Sequence, residues 1–368
     1  MLLALASAVA LAQSSSGLTS LERAYLSKPG GASSRASLHS LTAKPHVAGT
    51  DGDLETALFV QRTFLEAGLS DASLDPQRVL LSYPVDRSLS LLDSTTGAIV
   101  HSASLAEAVL PEDPTSDTWW RNMTFNACMR RGTRTGDPWD ALNPLIFVLR
   151  PPCTDSPSGT VVAPLVYANF GLPEDFAALA AANVTVAGSI VIVRYGKCFR
   201  GNKALNAQRA GALAAVLYSD PHEDGFARGA TFPDGPWRPR TSVQRGSIQY
   251  LSTCPGDPSR AYAPGGRSVR EVCGFEQREL IPQIPVLPIS WGDALAFLEA
   301  VQGPDAPSAF EGSLTSVGLT GYRLGPSVQR ARLVVHNRFE TAPIWNVIAT
   351  IPGNLPRDLD RPLILGNQ

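Results

Sequence analysis

The feature that most constrains the fold is an alternation of short apolar runs and helical patterns in the middle of the chain. The alternating segments, strand first, are residues 164–168, 174–182, 189–194, 202–211 and 214–218. Strands that alternate with helices of this length form crossover units around a parallel sheet. A further apolar run at 286–289 and a helical pattern at 293–301 extend the same alternation. The sequence therefore predicts an α/β fold.

The segments on either side of this alternation predict further elements. Residues 34–43 are predicted to be helical, and a second helix is predicted from apolar spacing at Leu54, Ala57, Leu58, Gln61 and Leu65. We expect Thr50 and Asp53 to begin the second helix as a capping box and Gly68 to end it. Strands are predicted at 78–83, 89–92, 99–101, 331–336, 344–351 and 362–365, and the second and third of these form a hairpin. Long loops are predicted at 111–157 and 232–266.

Charge and composition limit the class of partner. The chain of 368 residues has 31 Lys+Arg against 33 Asp+Glu, which gives a formal net charge of -2. Proteins that bind a phosphate backbone carry a basic surface, so we expect no nucleic-acid partner. A hydrophobic content of 44% excludes a chain that is disordered throughout. The length is typical of about two domains.

The first twelve residues have the pattern of a secretory signal. Residues 2–12 (LLALASAVALA) are apolar except for Ser7 and end in a small-x-small cleavage pattern. This run is too short to span a bilayer. No Lys or Arg precedes it, so a shortened membrane anchor or a buried helix stays open as an alternative. Two glycosylation sequons begin at Asn122 and Asn183. These features predict the secretory pathway and a luminal or extracellular protein, either free or membrane-anchored.

The sequence contains no recognisable catalytic motif. The five histidines form no i, i+4 pair, and neither a nucleophile elbow nor a phosphate-binding loop is present. The cysteines form no Cys-x-x-Cys, which argues against a structural zinc site; they are Cys128, Cys153, Cys198, Cys254 and Cys273. Cys254 and Cys273 bracket a Gly/Pro-rich loop and are the pair that we expect to be bonded. The alternative is that all five are buried thiols.

The sharpest chemical signal is the segment 195–203 (YGKCFRGNK), which joins a predicted strand to the start of a predicted helix. Backbone N–H groups and the helix dipole favour an anion at such a helix start. The planar guanidinium of Arg200 is suited to bind a carboxylate there through two N–H donors. The alternative is that Arg200 and Lys203 are solvated charges without a binding role.

Eight short motifs follow one another along nearly the whole chain. They are PHVAGT (45–50), VLLSYP (79–84), YGKCFRGNKALNA (195–207), AAVLYSDP (214–221), FPDG (232–235), SVQRG (242–246), IWNVI (344–348) and LILG (363–366). In this order they resemble the glutamate carboxypeptidase II family, zinc exopeptidases with an inserted protease-associated domain. The resemblance implies a protease-associated domain at 86–325, inserted in an incomplete α/β zinc-exopeptidase domain. The peptidase segments would be residues 18–85 and 326–368, the latter only the start of a second segment.

The resemblance also implies site residues. Arg200 matches the family's Arg that binds the C-terminal glutamate of the substrate. Ser247 matches a second pocket residue that is Asn in the family, so a hydroxyl replaces an amide there. Ser259 and Tyr262 match two oxygen ligands of a structural calcium ion. Gln368 stands where the family has its first zinc ligand, a His, and is not a ligand itself.

The function implied by the resemblance is that of the N-terminal part of a zinc metallocarboxypeptidase. It would remove acidic C-terminal residues from peptides, with zinc and calcium as cofactors of the full-length family and a homodimer as in that family. We expect this chain to be inactive alone, because zinc activates water only where its ligands are in place. The alternative is a non-catalytic binding module, as in the receptor branch with the same architecture. The nucleotide sequence after codon 368 would separate the two. The expected partner is a peptide with a C-terminal carboxylate.

Overall fold

A computed structural model describes residues 18–111, 116, 156–254, 258, 268–353, 356 and 364–366. The chain divides into two compact units, Met1–His46 and Val47–Gln368. The first unit contains helices α1 (Ser20–Leu26) and α2 (Gly31–Thr42). Thr19 and Glu22 form a capping box at the start of α1.

The second unit is built on one seven-stranded sheet with the order β2-β1-β7-β3-β4-β5-β6. Its strands are β1 (Ser73–Leu92), β2 (Ile99–Ser102), β3 (Gly159–Tyr167), β4 (Ile190–Arg194), β5 (Ala214–Tyr218), β6 (Val286–Ile289) and β7 (Arg330–Ile348). Its α-helices are α3 (Asp51–Glu66), α4 (Pro173–Ala181), α5 (Arg200–Arg209), α6 (Val269–Cys273) and α7 (Trp291–Glu299). Short 3-10 helices lie at Phe226–Arg228, Gln277–Glu279, Ser308–Phe310 and Leu314–Val317.

Strands β3 to β6 form the parallel part of the sheet. Helix α4 connects β3 to β4, and helix α5 connects β4 to β5. Every residue of β4, β5 and β6 is buried, and because successive side chains point to opposite faces, both faces of these strands are covered. The predicted α/β fold is confirmed. The strands predicted at 214–218 and 286–289 agree with β5 and β6 residue for residue.

Strands β1 and β7 form a long antiparallel ribbon that runs from the pair Ser73–Ile348 to the pair Leu92–Arg330. Strand β7 also pairs with β3, so it joins the ribbon to the parallel strands. The prediction of separate strands at 331–336 and 344–351 is wrong, because the intervening residues pair with β1 as well. The predicted hairpin is confirmed by the pairing of β1 with β2.

Helix α3 packs on the ribbon and differs in detail from its prediction. Thr50 is the N-cap residue, but its hydroxyl donates to the carbonyl of Val47 (2.6 Å). The carboxylate of Asp53 accepts from the N–H of Gly49 (3.0 Å), so the predicted capping box does not form. Of the predicted stripe, Ala57 is buried, whereas Leu58 and Leu65 are exposed.

Several other predictions are settled by the structure or lie outside the residues it describes. Cys254 is bonded to Cys273, as predicted, and Cys198 is a free thiol. Ile364 and Leu365 belong to no strand among the described residues, so the strand predicted at 362–365 is not formed there. Residues 1–12, Cys128, Cys153 and most of 111–157 lie outside the described part. No described helix has the length and apolar character needed to cross a membrane.

Candidate functional site

The segment 195–203 joins a strand to a helix, as the sequence predicts. Strand β4 ends at Arg194, and helix α5 begins at Arg200. Gly196 has a φ of 100°, a left-handed conformation that suits glycine and reverses the chain between the two elements. Phe199 is the N-cap residue, and within the described chain it makes no side-chain hydrogen bond to the first turn, which has no acidic residue. No acidic side chain in this turn therefore competes for the positive end of the α5 dipole, which attracts negative charge.

The guanidinium of Arg200 lies against Gly246. A Cβ atom at position 246 would overlap Nη2 and Cζ of Arg200, so glycine provides the space that the guanidinium occupies. On its other side, Cζ of Arg200 lies 4.9 Å from the centroid of the Phe199 ring, within the range of a cation–π contact. Arg200 is half-buried. The side chain is thus held between its own helix start and the segment around Gly246.

Two of the family motifs therefore meet in space. A Cβ atom at Gly201 would overlap the carbonyl oxygen of Gln249, which shows how closely the first turn of α5 approaches that backbone. The hydroxyl of Tyr195 donates to the carbonyl of Gln244 (3.0 Å). The hydroxyl of Ser252 donates to Oδ1 of Asn202 (2.9 Å). These contacts place residues 243–252 along the start of α5.

Ser247 follows Gly246 directly and is buried. Its Oγ accepts a hydrogen bond from the N–H of Gln249 (3.1 Å), so the hydroxyl stabilises the local turn. The structure thus brings Arg200 and Ser247 to neighbouring positions. Their roles in binding stay predictions.

A carboxylate distant in sequence anchors this segment. Glu107 accepts from Nη2 of Arg245 (2.7 Å) and from the N–H of Val243 (3.0 Å). Both charged side chains are largely buried, where a charge-assisted hydrogen bond is strong. Glu107 was not predicted from the sequence, because the two partners lie 138 residues apart and no local pattern connects them.

Positive charge is concentrated around Tyr195. Burial raises the pKa of the Tyr195 phenol to about 12, and the guanidiniums of Arg200, Arg238 and Arg245 oppose that rise. Nε of Arg238 lies 3.7 Å from a carboxylate oxygen of Asp224. Burial raises the pKa of Asp224 to about 6, and Arg238 opposes this shift as well. Of these three guanidiniums, those of Arg238 and Arg245 are paired with the carboxylates of Asp224 and Glu107.

Lys203 is not a solvated charge, and that alternative is wrong for this residue. Its side chain is 0% exposed, and Nζ donates to the carbonyls of Phe170 (2.6 Å) and Gly196 (2.6 Å). Burial lowers the pKa of Lys203 to about 8. A signal for this burial was present in the sequence: Lys203 shares one face of the helix with Ala207, four residues later, and Ala207 is buried too.

Of the remaining predicted site residues, only Asn183 belongs to the part of the chain that the structure describes. Asn122, Ser259, Tyr262 and Gln368 lie outside the described residues. Asn183 is exposed and follows α4 with a φ of 58°. Over the described ranges, no group of three or more His, Cys, Asp or Glu residues is placed to hold a metal ion. The described residues therefore do not fit the catalytic zinc ion that the resemblance implies.

Comparison with known proteins identifies one matching domain model and several relatives. The PA domain model matches residues 158–251. The Glutamate carboxypeptidase 2 homolog of Caenorhabditis briggsae is 32% identical over 345 residues, which are 90% of this chain and 40% of that protein. The chain is therefore homologous to glutamate carboxypeptidase-like proteins over 90% of its length. It spans about 40% of the length of such relatives. The predicted bounds 86–325 of the protease-associated domain are wider than the match and stay a prediction.

Two further relatives and one solved structure are also similar to the chain. Aminopeptidase NAALADL1 of Rattus norvegicus is 30% identical over 355 residues. The alignment covers 90% of this chain and 42% of that protein. Transferrin receptor protein 2 of Homo sapiens is 34% identical over 223 residues, 59% of this chain and 25% of that protein. The solved aminopeptidase from Aneurinibacillus sp. strain AM-1 is 16% identical, with a TM-score of 0.37, and covers 87% of this chain and 47% of that chain.

Proposed function

We propose that this chain forms the substrate-recognition part of a glutamate carboxypeptidase-like peptidase, in which Arg200 binds the C-terminal carboxylate of a peptide. The observation that carries the proposal is the position of the Arg200 guanidinium, held half-buried against Gly246 at the start of α5. At this place the helix dipole and a planar donor group act on the same anion. In the family a zinc ion would activate the water that hydrolyses the peptide. The proposal for this chain is limited to binding of the peptide.

The chemistry of the site favours one end of a peptide over the other. The names of the relatives divide between carboxypeptidase and aminopeptidase. A guanidinium at a helix N-terminus attracts a carboxylate and repels an ammonium group. Ser247 offers one short hydroxyl, which is already an acceptor for the N–H of Gln249. We therefore propose recognition of the C-terminal carboxylate, with less selection for a glutamate side chain than an amide at position 247 would give.

Binding of matched peptides tests the proposal. An N-acetylated peptide that ends in glutamate is compared, by calorimetry on the purified chain, with the same peptide carrying a C-terminal amide. We expect the free acid to bind at least about ten-fold more tightly, because the amide lacks the charge that pairs with Arg200. The variant Arg200→Gln should lose about 10- to 100-fold in affinity for the free acid.

Two further variants control for unrelated effects. Arg209→Gln removes a cation from the exposed end of the same helix and should leave the affinity unchanged within about two-fold. Gly246→Ala should displace the flexible end of Arg200 and weaken binding while the protein stays folded. Equal affinity for the acid and the amide, or for the wild type and Arg200→Gln, would show that Arg200 has no binding role.

A second candidate function is a receptor-like binding module without catalysis. The observation that favours it is the match to Transferrin receptor protein 2, which reaches 34% identity over 59% of this chain. A binding module of that kind is not expected to prefer a peptide with a free C-terminal carboxylate over the same peptide with a C-terminal amide. Its binding would not depend on Arg200, so the same peptide series separates the two proposals. A parallel assay for released glutamate, with zinc added, tests hydrolysis directly; we expect binding without release from this chain.

We also propose that the protein follows the secretory route. The exposure of Asn183 beside α4 makes this sequon accessible to glycosylation, and the apolar run at 2–12 supports targeting. After expression in eukaryotic cells, treatment with a glycan-removing amidase should lower the apparent mass, and Asn183→Gln should reduce that shift. No shift in the wild type would contradict the assignment.

A further inference from the structure

Lys203 lies in the first turn of α5, three residues after Arg200, and is completely buried. Its ammonium donates to the carbonyl of Phe170, which follows β3, and to the carbonyl of Gly196, which follows β4. One charged group thus connects the carboxyl ends of two parallel strands to the helix that carries Arg200. The side-chain N–H of Asn206 adds a second tie, since it donates to the carbonyl of Gly171 (2.9 Å).

Three cationic side chains lie close to the ring of Phe170. Cζ of Arg194 lies 3.9 Å from the ring centroid, and Nζ of Lys203 and of Lys197 lie at 5.6 Å and 5.7 Å. These distances are within the range of cation–π attraction. A buried ammonium is costly to desolvate, and an apolar side chain of similar length would avoid that cost. The two carbonyl acceptors of Phe170 and Gly196 offset part of this cost and hold the ammonium in one place.

We propose that Lys203 is a positioning residue for the carboxylate site: it fixes the turn that presents Arg200, and its charge stabilises the bound carboxylate. The inference rests on the proposed function of Arg200 and extends it to a second cation. Residues three apart on a helix are neighbours, so Lys203 and Arg200 lie on adjacent positions of the same turn. Lys203 acts through the turn and through its field, not through contact with the peptide.

The proposal predicts a particular pH dependence. Burial lowers the pKa of Lys203 to about 8, against the attraction of Asp175, Glu223 and the Cys198 thiol. A bound carboxylate favours the charged form of Lys203, so binding raises this pKa and is coupled to proton uptake. Affinity should therefore fall as pH rises through about 8. The Cys198 thiol titrates at higher pH, because burial raises its pKa.

The experiment measures the affinity of the purified chain for the N-acetylated glutamate peptide between about pH 7 and pH 9. The wild type should lose several-fold in affinity across this range, and calorimetry in two buffers should detect uptake of a fraction of a proton near pH 8. Lys203→Met should bind about ten-fold more weakly at pH 7, without the step and without proton uptake. Cys198→Ser should keep the step, which excludes the thiol as its source.

Each outcome decides a separate claim. If the peptide binds through Arg200 but the wild type shows neither the step nor proton uptake, the role of Lys203 is overturned and the proposed function stands. Unchanged affinity and an unchanged step in Lys203→Met would overturn it equally. If Arg200→Gln binds as well as the wild type, the proposed function fails, and this inference fails with it. Should Lys203→Met not fold, the pH profile and proton uptake of the wild type decide alone.

Discussion

Two parts of one sheet are buried very differently. In the parallel part, all residues of β4, β5 and β6 are buried. In the ribbon, most residues of β1 and β7 are exposed or half-buried. Helical crossovers cover parallel strands on both faces, whereas a two-stranded ribbon needs only one covered face and carries polar residues on the other. This difference in burial predicts that removing an apolar side chain costs more stability in the parallel strands than at an exposed ribbon position.

The same difference explains where the candidate site lies. Phe170, Gly196 and the start of α5 all follow the carboxyl ends of parallel strands, which is the edge where α/β sheets bind ligands. At one end the ribbon has a small buried cluster of Val79, Leu81 and Ala342, and at the other end it joins the main hydrophobic core. The strand ends that support Arg200 therefore belong to the parallel part of the described sheet.

The two parts of the sheet should differ most in the stability lost when an apolar side chain is truncated. Leu217→Ala, at a position 0% exposed in β5, should lower the free energy of unfolding by about 2–5 kcal/mol, because it leaves a cavity in a packed core. Ile348→Ala, at a position 51% exposed at the end of β7, should cost less than about 1 kcal/mol. Urea unfolding measures both values. Equal losses would show that the ribbon is packed as tightly as the parallel strands.

A pair of glycines sharpens the comparison. Gly201→Ala places a Cβ against the backbone carbonyl of Gln249, which cannot move as a side chain would, so we expect a loss of about 3 kcal/mol. Gly68 follows α3 beside the ribbon, and no described atom lies within 4 Å of its added Cβ. Its φ of 91° alone should make Gly68→Ala cost about 1 kcal/mol. Thermal unfolding compares the two variants, and a larger loss at Gly68 would contradict the close packing inferred at α5.

Lys203 predicts how the stability of the parallel part depends on pH. Its folded pKa of about 8 lies below the ordinary value of 10.5, so between these values the unfolded chain binds more protons than the folded one. The free energy of unfolding should therefore rise with pH in this window, by about 1–2 kcal/mol up to pH 9.5.

The matched variants for this measurement share a Cys198→Ser background. The raised pKa of the Cys198 thiol would otherwise oppose the rise, because a buried acid loses stability as it ionises. Lys203→Met should abolish the rise, and Ile348→Ala in the ribbon should keep it. A rise that persists in Lys203→Met would assign it to another group.

The smallest expected loss of stability is that of removing one hydrogen bond in the ribbon. The hydroxyl of Tyr83 donates to the carbonyl of Ala48 (2.8 Å), at a half-buried position beside the small cluster. Tyr83→Phe should lower the free energy of unfolding by about 1 kcal/mol, the usual net value of one hydrogen bond. Urea unfolding measures this loss. A loss as large as that of Leu217→Ala would contradict the weaker packing expected in the ribbon.

Local pattern by itself determined the parallel strands, the helices between them and the place of Arg200 at the start of α5. Continuous apolar runs bounded by turns identify strands buried on both faces, so β5 and β6 were predicted residue for residue. The bonded pair Cys254–Cys273 was also predicted from its position around a loop. These features depend on neighbours in sequence.

Contacts between distant segments were decided only by the tertiary structure. Strand β7 continues through polar residues because β1 pairs with it along its whole length, and no periodicity in 337–343 indicates this. Glu107 reaches Arg245 across 138 residues, and Gly246 meets Arg200 only when α5 is packed. Lys203 is buried because two strand ends bring carbonyl oxygens to its ammonium. A sequence pattern indicates which face of an element is apolar, but the partners of a polar group depend on which elements pack beside it.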